Sequence, residues 1–544
     1  MIQNHTNSPH HHLTLQQLQE FPNIENKKII PLLISPFQTD RILHEHLSQQ
    51  QPIVSERSEH SKRIWLAHDQ TKVHTLINLM FNQPLNSDTK SNIIVFEGTY
   101  HNMLELYQSL KRRLSGYLNL KHEKKKSLKE KYLESHLSKL EFTDMISRFG
   151  ILGRVELDHD KKENGEYSKS YSFIQTKVKR LPKLETLNRL AQFTIEKAEK
   201  IDPLLNGAYI FIPIHSLLSS IKSMDQWEKN GIQISLSEKD FIDIYPQFGV
   251  YSPTRREIFS TLIRNACEEF LKNSQMLKQM NNINIIDIGC GTGVFGLFVS
   301  RYLSTYCLPQ SSTATFNLQF IDINEWAIEC TKENVNIYFN KFGNHNERVD
   351  FTLLDISNRE IAQQEILSKV ESKKDNTLQN LNLLLCNPPW ISISKQDSQF
   401  IQQKRESLNT FKNVIDLSIF DIEHEFLDNF LHLIQQFVSS SSSKHDNRSQ
   451  TYGMILISNV GHLLGLEEHP ILETVENKCL QIGLKIVRVF TLRRDMDSQK
   501  HSLSVREFLV NNPLASKRKK SPHHDEIQQA KENEEVYCVV IGKS

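Results

Sequence analysis

From residue 283 onward the chain alternates short apolar runs with amphipathic stretches. The runs 283–288, 316–321, 350–354, 381–386, 452–459 and 485–491 have the length and the apolar, partly β-branched content of buried strands. Between them, apolar residues recur at helical spacing over 294–305, 325–339, 358–370, 411–438 and 468–482. Strands that alternate with helices predict a parallel sheet covered on both faces, with ligands at the carboxyl ends of its strands. The runs 485–491 and 535–541 have no helical stretch between them, so the last strand is expected to run antiparallel.

The first two hundred residues show no such alternation. Residues 1–60 are polar and weakly periodic, and nothing is read into them. Over 64–150 the pattern is helical with one strand, "NIIVFEG", followed by a helix face at Met103, Leu104, Leu106, Tyr107 and Leu110. Asn164-Gly165, a favoured tight-turn pair, sits between "GRVELD" and "KSYSFIQTKV" and predicts a hairpin. Composition changes at Asp202-Pro203. The expected organisation is therefore one domain over 61–204 and a second domain over 205–544. Three polar inserts, near 371–380, 439–451 and 511–534, are expected as surface loops of that second domain. Ahead of its first strand, Thr254 and Glu257 have capping-box spacing just after Pro253, and Ile258, Leu262, Ile263 and Phe270 supply an apolar face.

Charge narrows the partners. Lys+Arg total 65 against 64 for Asp+Glu, so any affinity for nucleic acid or an anionic surface must be local. The mean hydropathy of −0.45 belongs to a water-facing chain, and no run of about 18 apolar residues predicts a membrane span. The seven cysteines are scattered and never spaced for a metal, so they read as reduced apolar residues and no structural metal is expected. His10, His11 and His12 read as a solvated tail. The N-terminus lacks secretory grammar, which points to cytosol or nucleus, and "KRKK" at 517–520 is either a nuclear signal or a solubility patch.

The chemistry concentrates where strands end. "IIDIGCGTGVFG" joins a strand to a helix, and Gly291, Gly293 and Gly296 also spell the dinucleotide fingerprint GxGxxG. Asp287, two residues before Gly289, argues against that reading, because a carboxylate so close would repel a pyrophosphate. A ligand with an ammonium and a sulfonium would welcome it, and S-adenosylmethionine is such a ligand. Gly289, Gly291 and Gly293 let backbone approach it, and the amides opening the next helix can meet its carboxylate. Asp322, ending "FIDIN", is placed to accept from ribose hydroxyls, and Asp355, ending "TLLDI", from the adenine amino group. Each acid alone could instead cap its own helix.

"LLLCNPPWIS" ends the fourth strand with two prolines that remove ladder donors. Asn387 offers a carboxamide oxygen and Pro388 a carbonyl, two acceptors for the hydrogens of a planar –NH2 group. Held so, the conjugated nitrogen turns its lone pair toward the methyl donor, while Trp390 lies across the flat face of the acceptor. The plainer alternative is a strand-ending turn with a core Trp.

These motifs, with "FIDINEWAIECTKENV" and "FGVYSPTRRE", resemble the class I S-adenosylmethionine-dependent methyltransferases. Within them the chain is similar to the methyltransferase small group that includes HemK-like protein glutamine methyltransferases. The resemblance covers about residues 205–543. It implies a Rossmann-like, doubly wound α/β sheet of seven strands with a reversed last strand; the α-rich mixed domain ahead of it matches no known family and is expected to position substrate, as accessory N-terminal domains do in similar enzymes. It further implies the cofactor at Asp287, Gly289, Gly291, Gly293, Asp322 and Asp355, and Asn387 at the acceptor nitrogen. Trp390 departs from the Tyr or Phe usual at its position. The expected activity is methyl transfer to an amide or amino nitrogen of a macromolecular acceptor, protein or RNA. For RNA speaks the run 111–131, nine Lys/Arg against two Glu, which is also readable as a solvated helix face. A non-catalytic partner of the same fold and a nicotinamide oxidoreductase are the remaining readings.

Overall fold

The computed structural model describes residues 29–31, 64–74, 76–77, 93–119, 127–161, 167–173, 178–180, 209–223, 229–247, 250–272, 277, 280–309, 314–343, 347–371, 379–408, 420–440, 449–493, 527 and 532–544. They build two large sheets. The first runs in the order Ile29–Pro31, Tyr209–Pro213, Phe149–Lys161, Ile93–Thr99, Ile64–His68, with Tyr167–Phe173 and Val178–Lys179 paired at its margins. Helices Tyr100–Asn119, Leu128–Ser147 and Ile214–Ser223 accompany it. A capping box closes the start of the second of these, where the Ser127 side chain and Glu130 satisfy each other's backbone amides.

This region is more strand-rich than its sequence pattern suggests. Ile64–His68 pairs parallel with Ile93–Thr99, so the helical reading with one strand is corrected to an α/β sheet. The strand is only five residues long, too short for its period to show against flanking polar chain. Tyr209–Pro213 also belongs here, paired with Phe149–Lys161 and Ile29–Pro31, although its sequence reads with the second domain. The hairpin strands Phe149–Lys161 and Tyr167–Phe173 are antiparallel partners, and the Asn164-Gly165 turn between them lies outside the described residues. The histidine tail, residues 120–126 of the basic run, and "KRKK" lie outside them too.

The second sheet positions the site. Its strands are β1 (Asn282–Ile288), β2 (Thr315–Asp322), β3 (Glu347–Leu353), β4 (Asn380–Cys386), β5 (Ser449–Ser458), β6 (Leu484–Arg493) and β7 (Glu535–Lys543). In space they run 3-2-1-4-5-7-6, and β7 is antiparallel to both β5 and β6. Strand order reverses between β1 and β4, which opens a crevice at their carboxyl ends. Helices α1 (Val294–Tyr302), α2 (Glu325–Phe342), α3 (Arg359–Glu371), α4 (Lys395–Leu408), α5 (Glu425–Ser440) and α6 (Ile471–Gln481) complete the unit.

Period-two alternation fills both faces. Ile283, Ile285, Leu381, Leu383 and Leu385 point into one core with Phe295 and Phe298, while Ile286, Ile288, Leu384 and Cys386 enter the other with Phe430 and Ile434. A polar rung crosses this apolar sheet. Asn317 donates to Asn284 at 2.9 Å, Asn284 to Asn382 at 2.7 Å, and Asn382 to Thr451 at 3.2 Å. These residues face one another in the strand register, so the rung pairs buried amides that would otherwise be costly, with Asn317 Oδ1 at its end left without a partner.

Two expectations on this unit are revised. Of the long helix read over 411–438, residues 411–419 lie outside the described residues and the remainder starts at Glu425, because Phe420–Ile422 forms a strand with Ile391–Ile393, and Glu423 and His424 then turn through positive φ of 52° and 62°. Glu257 does not cap with Thr254. Its carboxylate accepts from Arg255 at 2.9 Å, and Arg255 also bonds Glu534 at 3.0 Å. Among the described residues no helix is long and apolar enough to cross a membrane.

The two sheets meet beside the crevice. Lys129 pairs with Asp397 at 2.8 Å, the His136 and Phe420 rings meet edge to face at 4.9 Å, and Leu133 packs with Ile391, Ile401 and Leu466. The first unit thus borders the segment that follows Trp390.

Candidate active site

The glycine turn between β1 and α1 is built from both sides. Gly289, Gly291 and Gly293 have φ of 68°, 56° and 76°, a region that side chains strain. Their surroundings separate two tasks. A Cβ at Gly293 would meet Thr331 at 2.7 Å and one at Gly296 would meet Phe320 at 2.7 Å, so these two let α1 seat against the sheet. A Cβ at Gly291 would meet nothing within 4 Å, and one at Gly289 only the tip of Phe426 at 3.7 Å. Here bare backbone faces open space, the cradle a ligand would use.

Helix α2 fastens this turn. Thr331 donates to the Gly291 carbonyl at 2.9 Å and Asn334 to the Thr292 carbonyl at 3.0 Å, while Asn334 accepts from the Tyr245 amide at 2.7 Å. Neither residue stands out in sequence, because a Thr and an Asn inside a helix carry no motif.

The three acids sit at successive strand ends but differ in use. Asp287 is 2% exposed, and its Oδ2 accepts from the Gly296 amide at 2.9 Å. Burial pushes its carboxyl up to about 8, against that hydrogen bond and with the like charge of Asp322 adding to the rise. Asp322 takes the Gly291 amide on one oxygen and the Asn324 amide on the other, both at 2.9 Å, and burial lifts it to about 6. Each of its oxygens retains a lone pair. Asp355 is exposed and accepts from the Ser357 amide at 2.9 Å, and Ile356 beside it is buried.

Across the crevice, β4 ends at Asn387. The Trp390 indole donates to Asn387 Oδ1 at 2.9 Å. A Tyr or Phe ring offers no N–H there, so this tryptophan can fix the carboxamide plane while leaving the second lone pair of Oδ1 for a ligand. Arg255 lies 6.0 Å from the Trp390 ring, which ties the "SPTRRE" segment to the same corner.

Pro388, Pro389 and Trp390 form one wall of a small, narrow cleft. Its other walls include Ser392, Asp421, His424, Leu427, Ile457 and Glu467. Asp421 caps α5 through the Phe426 and Leu427 amides at 2.8 and 3.1 Å, and burial raises it to about 6. Burial lowers His424 to about 4, with Lys478 contributing. Glu467 is raised to about 7, by burial first and by Asp421. The sequence reading missed all three, since no motif spans residues brought together from 421, 424 and 467. No group of three or more His, Cys, Asp or Glu among the described residues is arranged to hold a metal.

No protein-family model matches the chain, and no curated protein does. Solved structures with similarity include two methyltransferases holding S-adenosyl-L-homocysteine. One, from Geobacter sulfurreducens, is 12% identical over 49% of this chain and 86% of its own, with a TM-score of 0.21. The other, from Thiobacillus denitrificans, is 12% identical over 54% and 99%, with a TM-score of 0.24. A loganic acid methyltransferase is 13% identical over 52% and 90%, with a TM-score of 0.25. Likenesses at this level carry no functional argument, and the chain's own geometry has to supply one.

Proposed function

We propose that the chain is an S-adenosylmethionine-dependent N-methyltransferase acting on a planar amide nitrogen of a protein. The observation that carries this reading is the pairing of two elements across one sheet reversal: open glycine backbone at the tip of β1 and an Asn-Pro-Pro-Trp clamp at the tip of β4.

The residues fit the cofactor. Gly289 and Gly291 leave room against bare backbone, Asp322 keeps acceptor capacity for ribose hydroxyls, and exposed Asp355 with Ile356 suits an adenine edge and face. When bound, this cofactor supplies a methyl group on a cationic sulfur. The chain's part is placement. Asn387 Oδ1 and the Pro388 carbonyl hold the two hydrogens of the acceptor's –NH2, so its lone pair points across the crevice. Orientation of this kind can supply roughly 7–11 kcal/mol of a barrier. Trp390 both steadies Asn387 and offers a flat wall to the acceptor.

Protein is favoured over RNA because the cleft beside the clamp is lined by Asp421 and Glu467 and by no Lys or Arg, and its acids would repel a phosphate chain. The first unit, bordering that cleft through Leu128–Ser147, is the surface on which a protein acceptor would be positioned.

Two measurements test this. Calorimetry should show S-adenosylhomocysteine binding with a Kd in the micromolar range, about −8 kcal/mol. Incubation with labelled S-adenosylmethionine and a fractionated extract should then place label in protein. No heat with either donor or demethylated product would remove the reading.

A further inference from the structure

Glu467 is built into the cleft at a cost the fold does not need. The residue is 9% exposed, and its Oε1 accepts from the amide of Ser392, two positions beyond Trp390, at 2.9 Å. Oε2 is buried and has no hydrogen-bond partner. Room for the group comes from Gly461, where any Cβ would collide with the carboxylate. A buried oxygen left without a partner costs about 1–3 kcal/mol, more for a charge, and a hydrophobic side chain would serve the surrounding Leu427, Ile457 and Ile471 better. Such an arrangement points to a ligand group that completes it.

We propose that Glu467 is the proton acceptor for the methylated nitrogen of a primary amide oriented by Asn387 and Pro388, with Oε2 sharing the N–H held by the Pro388 carbonyl and taking its proton once the nitrogen is cationic. This deepens, and rests on, the function proposed above. The step balances. The sulfur–methyl bond breaks with its electron pair going to sulfur, and the nitrogen lone pair forms the new N–C bond. The proton then displaced from nitrogen passes to Glu467 Oε2. An anionic carboxylate and a cationic donor thus become a carboxylic acid, a neutral N-methyl amide and a neutral thioether, and the carboxylic acid returns its proton to water before the next turnover. Pro388, Pro389 and Trp390 wall the cleft on one side, and a carboxylate fixed within it can take the proton without waiting for a water molecule. The groups facing Glu467 are Asp421 and His424 across the cleft and His462, whose Nδ1 lies 3.2 Å from the Glu467 carbonyl oxygen. Asp421 and burial set the carboxyl near neutrality, where a general base works best.

The test uses the full chain and E467Q, in which Gln Oε1 can still accept from Ser392. Calorimetry with S-adenosylhomocysteine and single-turnover transfer of labelled methyl to a pooled proteome digest and, separately, to total RNA are measured between pH 6 and 9. Infrared difference spectra of the cofactor-free protein over the same range report the carboxyl directly. Expected are unchanged S-adenosylhomocysteine affinity in E467Q, a protein-labelling rate about 100-fold lower, and loss of the wild-type rise in rate through about pH 7. A carboxylic-acid band that titrates in the wild type should be missing from E467Q. Equal rates, an unchanged pH profile or no missing band would overturn the proposal. So would wild type that binds S-adenosylhomocysteine yet labels only RNA or nothing, which would leave the cofactor site standing. Absence of S-adenosylhomocysteine binding in the wild type would instead sink the underlying function.

Discussion

The two lips of the crevice treat their polar groups in opposite ways. On the β1–β2 side, Asp287 and Asp322 are engaged by the backbone they organise: the Gly296 amide orients one carboxyl group, and the Gly291 and Asn324 amides orient the other while leaving it acceptor capacity. On the β4–β5 side, Asn387 is held by one indole bond and Glu467 by one amide, and each keeps a vacant acceptor. The first lip behaves as a finished mould and the second as a set of unspent contacts. Under the proposed function, donor geometry would be fixed by the fold, while acceptor choice and proton handling would sit where side chains can still respond.

Substitutions should separate the lips. The largest effect is expected from Asn387→Ala, which should reduce methyl transfer by 10³-fold or more while S-adenosylhomocysteine titrates by calorimetry as in the wild type. Comparable turnover would remove the clamp from the mechanism. Gly291→Val should give the converse, a loss of S-adenosylhomocysteine binding of at least 100-fold, since it puts a branched side chain into the open space above a φ of 56°.

A smaller effect concerns stability. Asp287 is pushed up to about 8 when folded, so the folded chain keeps a proton that the unfolded chain releases from about pH 4 upward. Its contribution to stability therefore falls as pH rises across that window and levels off above about 8. Asp287→Asn removes the charge, and its Oδ1 can still accept from Gly296. The variant should match the wild type near pH 4 and melt a few degrees higher at pH 8.5, as read by scanning calorimetry. A variant less stable at pH 8.5 would show that the carboxylate itself is needed. The smallest effect is expected from Trp390→Phe, which keeps the wall and loses the indole donor. A fall in kcat of about three- to tenfold with little change in KM is the size of one hydrogen bond.

Legibility in the sequence followed the same division. The second sheet and its glycine turn were readable because strand and helix periods differ and because tight backbone needs glycine at fixed spacing. Asn387, Pro388 and Trp390 were readable because prolines at a strand end demand a reason. Glu467 and Asp421 were not, since their meaning arises only when separate loops converge. Thr331 and Asn334 were hidden for another cause: inside "ECTKENV" they look like ordinary helix residues, and only the turn they fasten gives them a role. The first unit misled because its strands are short, and Tyr209–Pro213 joins a sheet whose other members lie far upstream.

The amide rung through Asn317, Asn284, Asn382 and Thr451 acts as a ruler for the whole crevice. Sliding β1 or β4 by a single residue would set an isoleucine or leucine against an unpaired carboxamide, so misaligned pairings are disfavoured. From that common mark, Asp287 lies three residues up its strand and Asn387 five residues up its neighbour. The spacing between the two strand tips is thus counted out in whole residues, far below the tips themselves.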